Sequence, residues 1–182
     1  MKKYLLTLAT FIFLIGTTYS QNYSPLKKGN EWAFKMQNAT YTTKVLDSFF
    51  TYKEVEYFQS ETKYSWGMTE INYFRIDEEG NEIYLDSKSF TETVNMPSRI
   101  ELGHAWISTD KTWKYEISGL NETLNTPEKI FKNCIIIKAE QLTGRDKGKL
   151  PAYYNYYADG IGYVGSKSEQ GLVTYLTNYS LK

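Results

Sequence analysis

Trp113-Lys114-Tyr115-Glu116-Ile117-Ser118 is the stretch that decides the fold class. Trp113, Tyr115 and Ile117 alternate with Lys114, Glu116 and Ser118, a period of two that places one set of side chains on each face of an extended chain. The same beat runs through Trp32, Phe34 and Met36, which alternate with Ala33, Lys35 and Gln37. Near the C-terminus Val173, Tyr175, Thr177, Tyr179 and Leu181 share one parity. Apolar groups on one face and polar groups on the other suit an antiparallel sheet with one wet side. Glu78-Glu79-Gly80-Asn81 separates Tyr73–Asp77 from Glu82–Leu85 and reads as a hairpin turn. Gly144-Arg145-Asp146-Lys147-Gly148 reads as a second connector, and Pro127 and Pro151 fall where strands are expected to begin. No window carries a helical apolar stripe. The chain is therefore expected to be all-β, an antiparallel sandwich or a strongly curved sheet or open barrel.

Pro25-Leu26-Lys27-Lys28-Gly29-Asn30-Glu31-Trp32 recurs in reduced form as Pro97 followed by Gly103-His104-Ala105-Trp106, the two Gly-x-x-Trp units lying 74 positions apart. Tyr73-Phe74-Arg75-Ile76-Asp77, leading to Gly80, is echoed by Tyr156-Tyr157-Ala158-Asp159-Gly160. Two related half-modules, 23–95 and 96–182, are one reading of this pattern, and chance similarity among aromatic strands is the other. Neither half could hide its apolar face alone, so a single β-domain over 21–182 with one shared core is expected.

Met1-Lys2-Lys3 is a short positive start, Leu5 to Ile15 is apolar apart from Thr7 and Thr10, and Gly16–Ser20 is polar. This is the layout of an export signal over 1–20, with Thr18 and Ser20 small enough for peptidase subsites and cleavage expected before Gln21. The apolar stretch is 11 residues, against the roughly 18 or more that spanning a bilayer needs. No later run reaches that length, so no transmembrane segment is expected once the signal is gone. With no cysteine at the signal's end, lipid attachment has no acceptor there. The expected location is periplasmic or extracellular.

Removing Lys2 and Lys3 leaves 19 basic against 21 acidic side chains, a charge of −2 over 162 residues. A nucleic-acid binder would need a basic surplus to displace counterions, so that partner is not expected. Aromatic residues make up 16% of the chain, too many for a disordered polymer. The single cysteine, Cys134, rules out an intrachain disulfide, and its setting in Phe131-Lys132-Asn133-Cys134-Ile135-Ile136-Ile137 reads as a buried strand where a thiol packs as a small hydrophobe. Four Asn-x-Ser/Thr triplets, at Asn22, Asn38, Asn121 and Asn178, read as accidents of composition beside a bacterial-looking signal.

The order Pro-x-x-x-Gly-Asn-x-Trp, Gly103-His104-Ala105-Trp106, Phe131-Lys132-Asn133-Cys134 and Tyr157-Ala158-Asp159-Gly160-Ile161-Gly162-Tyr163-Val164 resembles a loose group of exported, uncharacterised β-proteins of Bacteroidetes-type bacteria. That group typically reads P-x-x-x-G-x-x-W early, G-x-F-x-N-C later and Y-x-x-G-V-G near the end. Here Ile130 precedes Phe131 within Glu128-Lys129-Ile130-Phe131, and the glycine two places before the phenylalanine is missing. The resemblance implies an exported β-domain and carries no catalytic residues.

Candidate chemistry is sparse. His104, the single imidazole, would have to serve any serine or cysteine triad, yet it occupies the position held by Asn30 in the other Gly-x-x-Trp unit and reads as a turn residue. No Gly-x-Ser-x-Gly elbow occurs. A two-carboxylate, glycosidase-like hydrolase is the competing enzymatic reading, with Glu54, Glu56, Glu70, Glu101 and Asp159 in or beside strands. Asp77-Glu78-Glu79-Gly80-Asn81-Glu82 concentrates oxygen ligands, but it lacks the alternating acids of a calcium loop and fits a tight turn. No metal or cofactor is expected.

The densest feature is Tyr153-Tyr154-Asn155-Tyr156-Tyr157, with Tyr163 beyond the Gly160–Gly162 break. On a strand Tyr153 and Tyr157 share one face with Asn155, while Tyr154 and Tyr156 share the other. Tyrosine's ring and polar tip suit a half-buried strand, and equally a stacking surface for a sugar or peptide. Tyr153, Tyr154, Tyr156, Tyr157 and Tyr163 form the candidate ligand surface. The leading expectation is a non-catalytic binder of a lipid-like apolar ligand, a glycan or another envelope protein. A small carboxylate-dependent hydrolase is the alternative.

Overall fold

The computed structural model describes residues 22–143 and 150–182, so the leader 1–20 and the 144–148 connector lie outside the described residues. Six strands form the first half: β1 (Glu31–Met36), β2 (Ala39–Tyr52), β3 (Val55–Tyr64), β4 (Thr69–Ile76), β5 (Glu82–Leu85) and β6 (Glu92–Met96). Six more form the second: β7 (Ala105–Ile107), β8 (Trp113–Asn125), β9 (Ile130–Gln141), β10 (Ala152–Ala158), β11 (Gly162–Ser168) and β12 (Gly171–Ser180). All belong to one antiparallel sheet in the order β6-β5-β4-β3-β2-β1-β12-β11-β10-β9-β8-β7. The sheet curls into a nearly closed barrel with one unsealed seam, between β6 and β7. Of the two architectures expected, the curved sheet or open barrel is the one formed.

Strand pairing is local except at one place. Each strand lies beside its sequence neighbour, and only β1 with β12 joins distant chain, Glu31 opposite Ser180 and Met36 opposite Thr174. The hairpin joining β4 and β5 turns on Asp77, whose carboxylate accepts from Asn81 N at 2.7 Å and Asn81 Nδ2 at 2.9 Å. An Asx turn of this kind explains the oxygen-rich stretch without a metal. Among the described residues no three His, Cys, Asp or Glu side chains converge as metal ligands. No helix among them is long and apolar enough to cross a membrane.

β9 is covered on both faces, which its β-branched run permits. Cys134 and Ile136 join a cluster with Leu124, Phe131, Tyr156 and Val164, while Ile135 and Ile137 join a second with Tyr23 and Met96. Ile117, Leu124, Val164 and Leu176 are fully buried, each stabilising the fold by about 2 kcal/mol relative to exposure. Leu124 reaches its place because the β8–β9 register slips between Ile117 and Gly119, and twice more before Leu124. Each slip bends the hairpin. The contact needs a glycine opposite: a Cβ on Gly165 would lie 2.6 Å from Thr174 O and 3.0 Å from Leu124 Cδ2.

The two Gly-x-x-Trp units build matching corners. Gly29 (φ +81°) donates to Val45 O at 2.9 Å, and Val45 N returns a bond to Asn30 O at 2.9 Å. Gly103 (φ +83°) donates to Ile117 O at 2.8 Å, and Ile117 N returns one to His104 O at 2.9 Å. The left-handed φ is why glycine leads both. Each tryptophan, one residue into its strand, then donates its indole N–H to a backbone carbonyl at 2.8 Å: Trp32 to Ile161, Trp106 to Val94.

Candidate functional site

The concave side of the sheet carries a chain of aromatic rings. Phe34 stacks on Tyr41 at 4.8 Å between centroids and meets Tyr163 at 5.4 Å; Tyr163 in turn meets Tyr157 edge-on at 5.6 Å. Alternation along β1 and β2 sends Trp32 and Phe34, and Tyr41, Thr43 and Val45, to this same side. With Ser60, Phe74, Glu82, Asn95, Tyr157 and Tyr163 they line a cavity of about 220 Å³. Tyr23, Ser24, Pro25 and Leu26 form its remaining wall. That N-terminal segment is pinned through the backbone of Asn22: its N donates to the Asp159 side-chain Oδ1 at 2.6 Å, and its O accepts from Gly160 N at 2.8 Å.

Asn30 anchors the segment from behind. It is 2% exposed; its Nδ2 donates to Pro25 O and its Oδ1 accepts from Lys182 N, both at 2.8 Å. The Asn of the Pro-x-x-x-Gly-Asn-x-Trp motif thus ties both ends of the barrel wall together. His104, at the equivalent corner, is half-buried and packs its ring 5.8 Å from Trp106.

A second cavity of about 260 Å³ adjoins the first through Asn95 and Tyr157, and is lined further by Trp113, Tyr115, Ile137, Ala139, Tyr153 and Asn155. Trp113 and Tyr115 also border a larger polar bowl of about 610 Å³, where the β5–β6 and β7–β8 connections bring Asp86, Lys88, Ser108 and Asp110 together. The three spaces form a trough running from a polar mouth to an aromatic base.

The structure divides the candidate tyrosines by parity. Tyr153 and Tyr157 face the trough with Asn155, and Tyr163 joins them there. Tyr154 and Tyr156 pack on the opposite face in the cluster of Ile136 and Val164, with Tyr156 only 8% exposed and Lys167 Nζ 5.4 Å from its ring centroid. The five rings are therefore not one surface. Burial pushes the hydroxyls of Tyr157 and Tyr163 well above the ordinary phenol value, for Tyr157 with the charge of Glu82 adding to it.

Of the carboxylates singled out in the sequence, Glu70 borders the polar bowl and none lines the two aromatic cavities. Glu54, Glu56, Glu70, Glu101 and Asp159 are all exposed. Glu70 accepts from Tyr64 Oη at 2.9 Å, and Glu101 pairs with Arg99 at 2.6 Å. In the polar bowl Asp86 is held below the ordinary carboxylate range by Lys88 N and Ser89, and Asp110 by the Ser108 hydroxyl and Thr112. Both brace their own turns as acceptors.

The acid that matters is Glu82. It is 6% exposed, the single acidic or basic residue among the buried ones of the described residues, and burial pushes its carboxyl up to about 7. The β5–β6 register slips between Glu82 and Ile83, leaving Asn95 as the extra residue. Asn95 Nδ2 donates to Glu82 Oε1 from that bulge. Sequence reading placed Glu82 in the oxygen-rich hairpin. The structure pairs it with Ile76, two residues from Phe74 on the same strand face, and this register turns it toward the cavity.

No protein-family model matches the chain, and neither a curated protein nor a solved structure matches it.

Proposed function

We propose that this chain is a non-catalytic, exported binding protein that holds a small apolar ligand within its barrel. The observation that carries the reading is the aromatic cavity of about 220 Å³ lined by Trp32, Phe34, Tyr41, Phe74, Tyr157 and Tyr163. Concave, mostly apolar walls with a few convergent polar groups are what a small-molecule site requires. Closing the base with its own N-terminal segment shields such a ligand from water on that side. Export is supported by the signal-like 1–20 and by a motif order that resembles that of the exported β-protein group.

Binding is favoured over hydrolysis by the placement of the acids. A carboxylate hydrolase needs one raised acid opposite a second ionised one. Glu82 is the raised acid, and among the described residues no second carboxylate lines the aromatic cavity with it; Glu79 borders only a separate space on the other side of Glu82. A saccharide at the polar mouth is a second reading, favoured by Tyr84, Trp113 and Tyr115 bordering the bowl beside its hydroxyl and carboxylate groups.

Native mass spectrometry of the purified protein tests the principal reading, with a co-purifying apolar small molecule as the expected result. N-phenyl-1-naphthylamine, a neutral apolar dye, should brighten on mixing and quench when Phe34→Trp or Tyr163→Trp narrows the cavity. A protein that is empty and leaves the dye dark overturns the reading. Retention on a glycan array, lost on Trp113→Ala, would transfer the site to the mouth.

A further inference from the structure

Taking the cavity as a ligand site, we infer that its ligand is an organic cation: an apolar body bearing a protonated amine whose charge is met by Glu82. The lining sets the sign of the charge. Among the described residues around the aromatic base and the adjoining cavity, Glu82 is the sole carboxyl, and no lysine, arginine or histidine lines either space. The one ionisable group that becomes charged on this lining near neutral pH is therefore negative. An anionic ligand would meet only repulsion from Glu82 and from the negative faces of the rings.

The rings add a second, independent attraction. Tyr41, Phe74, Tyr157 and Tyr163 are partly exposed on the cavity side, and their π-faces attract cations most strongly where water is excluded. A carboxylate bordered by aromatic faces is complementary to an ammonium group carried on a hydrocarbon body. It is poorly matched to a neutral lipid, which gains nothing from the charge and must tolerate its desolvation.

Glu82 also has capacity to spare. Asn95 Nδ2 occupies Oε1, while Oε2 has no hydrogen-bond partner among the described residues and is not a sealed, orphaned atom. The titratable groups that share these spaces with it are Tyr157 from β10, Tyr23 from the N-terminal segment and, in a separate space of about 550 Å³ that Glu82 also borders beside Ile76 and Met96, Glu79 from the β4–β5 turn; Ser24 and Ser60 add neutral hydroxyls. None supplies a positive charge. A buried carboxyl without a cation resists ionisation, which is why its titration is displaced to about 7. An incoming ammonium would supply the missing counter-charge and drive the proton off.

Three probes of equal length separate the possibilities: octylammonium, 1-octanol and octanoate, titrated calorimetrically into the full chain. The amine stays protonated and the carboxylate ionised between about pH 6 and pH 8, so any pH dependence comes from the protein. Octylammonium should bind tightest and octanoate weakest, and the amine's affinity should rise about tenfold from pH 6 to pH 8 as Glu82 ionises. Glu82→Gln should erase both the rise and the preference for amine over alcohol. If 1-octanol binds as tightly as octylammonium, or the variant keeps the preference, the cation inference is overturned while the apolar site stands. If none of the three binds, the apolar site itself is overturned. Should Glu82→Gln not fold, the pH profile of the unaltered protein decides: a flat profile for octylammonium overturns the inference.

Discussion

The corner at Gly29–Trp32 and the corner at Gly103–Trp106 are built alike and end differently. Both have a left-handed glycine, a reciprocal pair of backbone bonds to the following strand, and an indole donating to a carbonyl at 2.8 Å. At the first, β1 has a full strand partner in β12, and Asn30 locks the arrangement from behind. At the second, β7 is three residues long and faces β6 without ladder bonds. There the indole bond of Trp106, with the amide and hydroxyl of Thr109 bonding Thr93 Oγ1 and Glu92 O, stands in for a ladder. The difference teaches that a corner motif fixes where a strand begins, while closure depends on whether another strand reaches that edge.

The comparison breaks most readily at the tryptophans. Trp32 is 8% exposed in the main cluster, so Trp32→Ala should cost about 4 kcal/mol in urea unfolding. Trp106→Ala, at the half-buried seam, should cost distinctly less; equal losses would mean the seam is as well packed as the sealed side. The next effect belongs to Glu82, one strand in from the seam. Its folded titration, raised from an ordinary 4.5 to about 7, makes stability fullest below about pH 4.5. That stability falls as pH climbs through 7, by at most about 3 kcal/mol. Glu82→Gln should flatten the profile across that window, as read by thermal melts at stepped pH. Asp86, Glu92 and Asp110, all held low, act only in the opposite direction at more acid pH.

Asn30→Ala should cost about 2 kcal/mol, since Pro25 O and Lys182 N both lose their partner. Hydrogen exchange at Tyr23 and Lys182 should quicken together in that variant, which a local effect at one end would not produce. The smallest change is His104→Asn, which copies the first corner into the second. With no side-chain hydrogen bond to lose, it should shift stability by no more than about 0.5 kcal/mol. A larger loss would show that the imidazole holds the seam.

Much of this architecture can be read in the residues. Alternation in Trp32–Gln37 and Trp113–Ser118 specifies strands, Gly80 marks its hairpin, and the parity of Tyr153 and Tyr157 against Tyr154 and Tyr156 follows from pleating alone. The expected tyrosine surface did not allow for the second apolar layer that covers Tyr156, because that layer comes from Leu124 across three register slips. Bulges leave little trace in composition. Glu82 escaped notice for a related reason: a four-residue strand beside a turn has too few positions to reveal its inward face. Its burial depends on Tyr157 and the N-terminal segment arriving from far along the chain.

The one long-range strand pairing, β1 with β12, has a consequence for the order of assembly. Ten of the eleven ladders join neighbours in sequence and can zip as each hairpin emerges, but the eleventh must wait for the last strand. Until Gly171–Ser180 has been synthesised and delivered, β1 keeps an open edge beside Trp32 and Phe34. A nascent chain stays threadable for that interval, and a version cut short before β12 would carry a sticky rim in place of a finished wall.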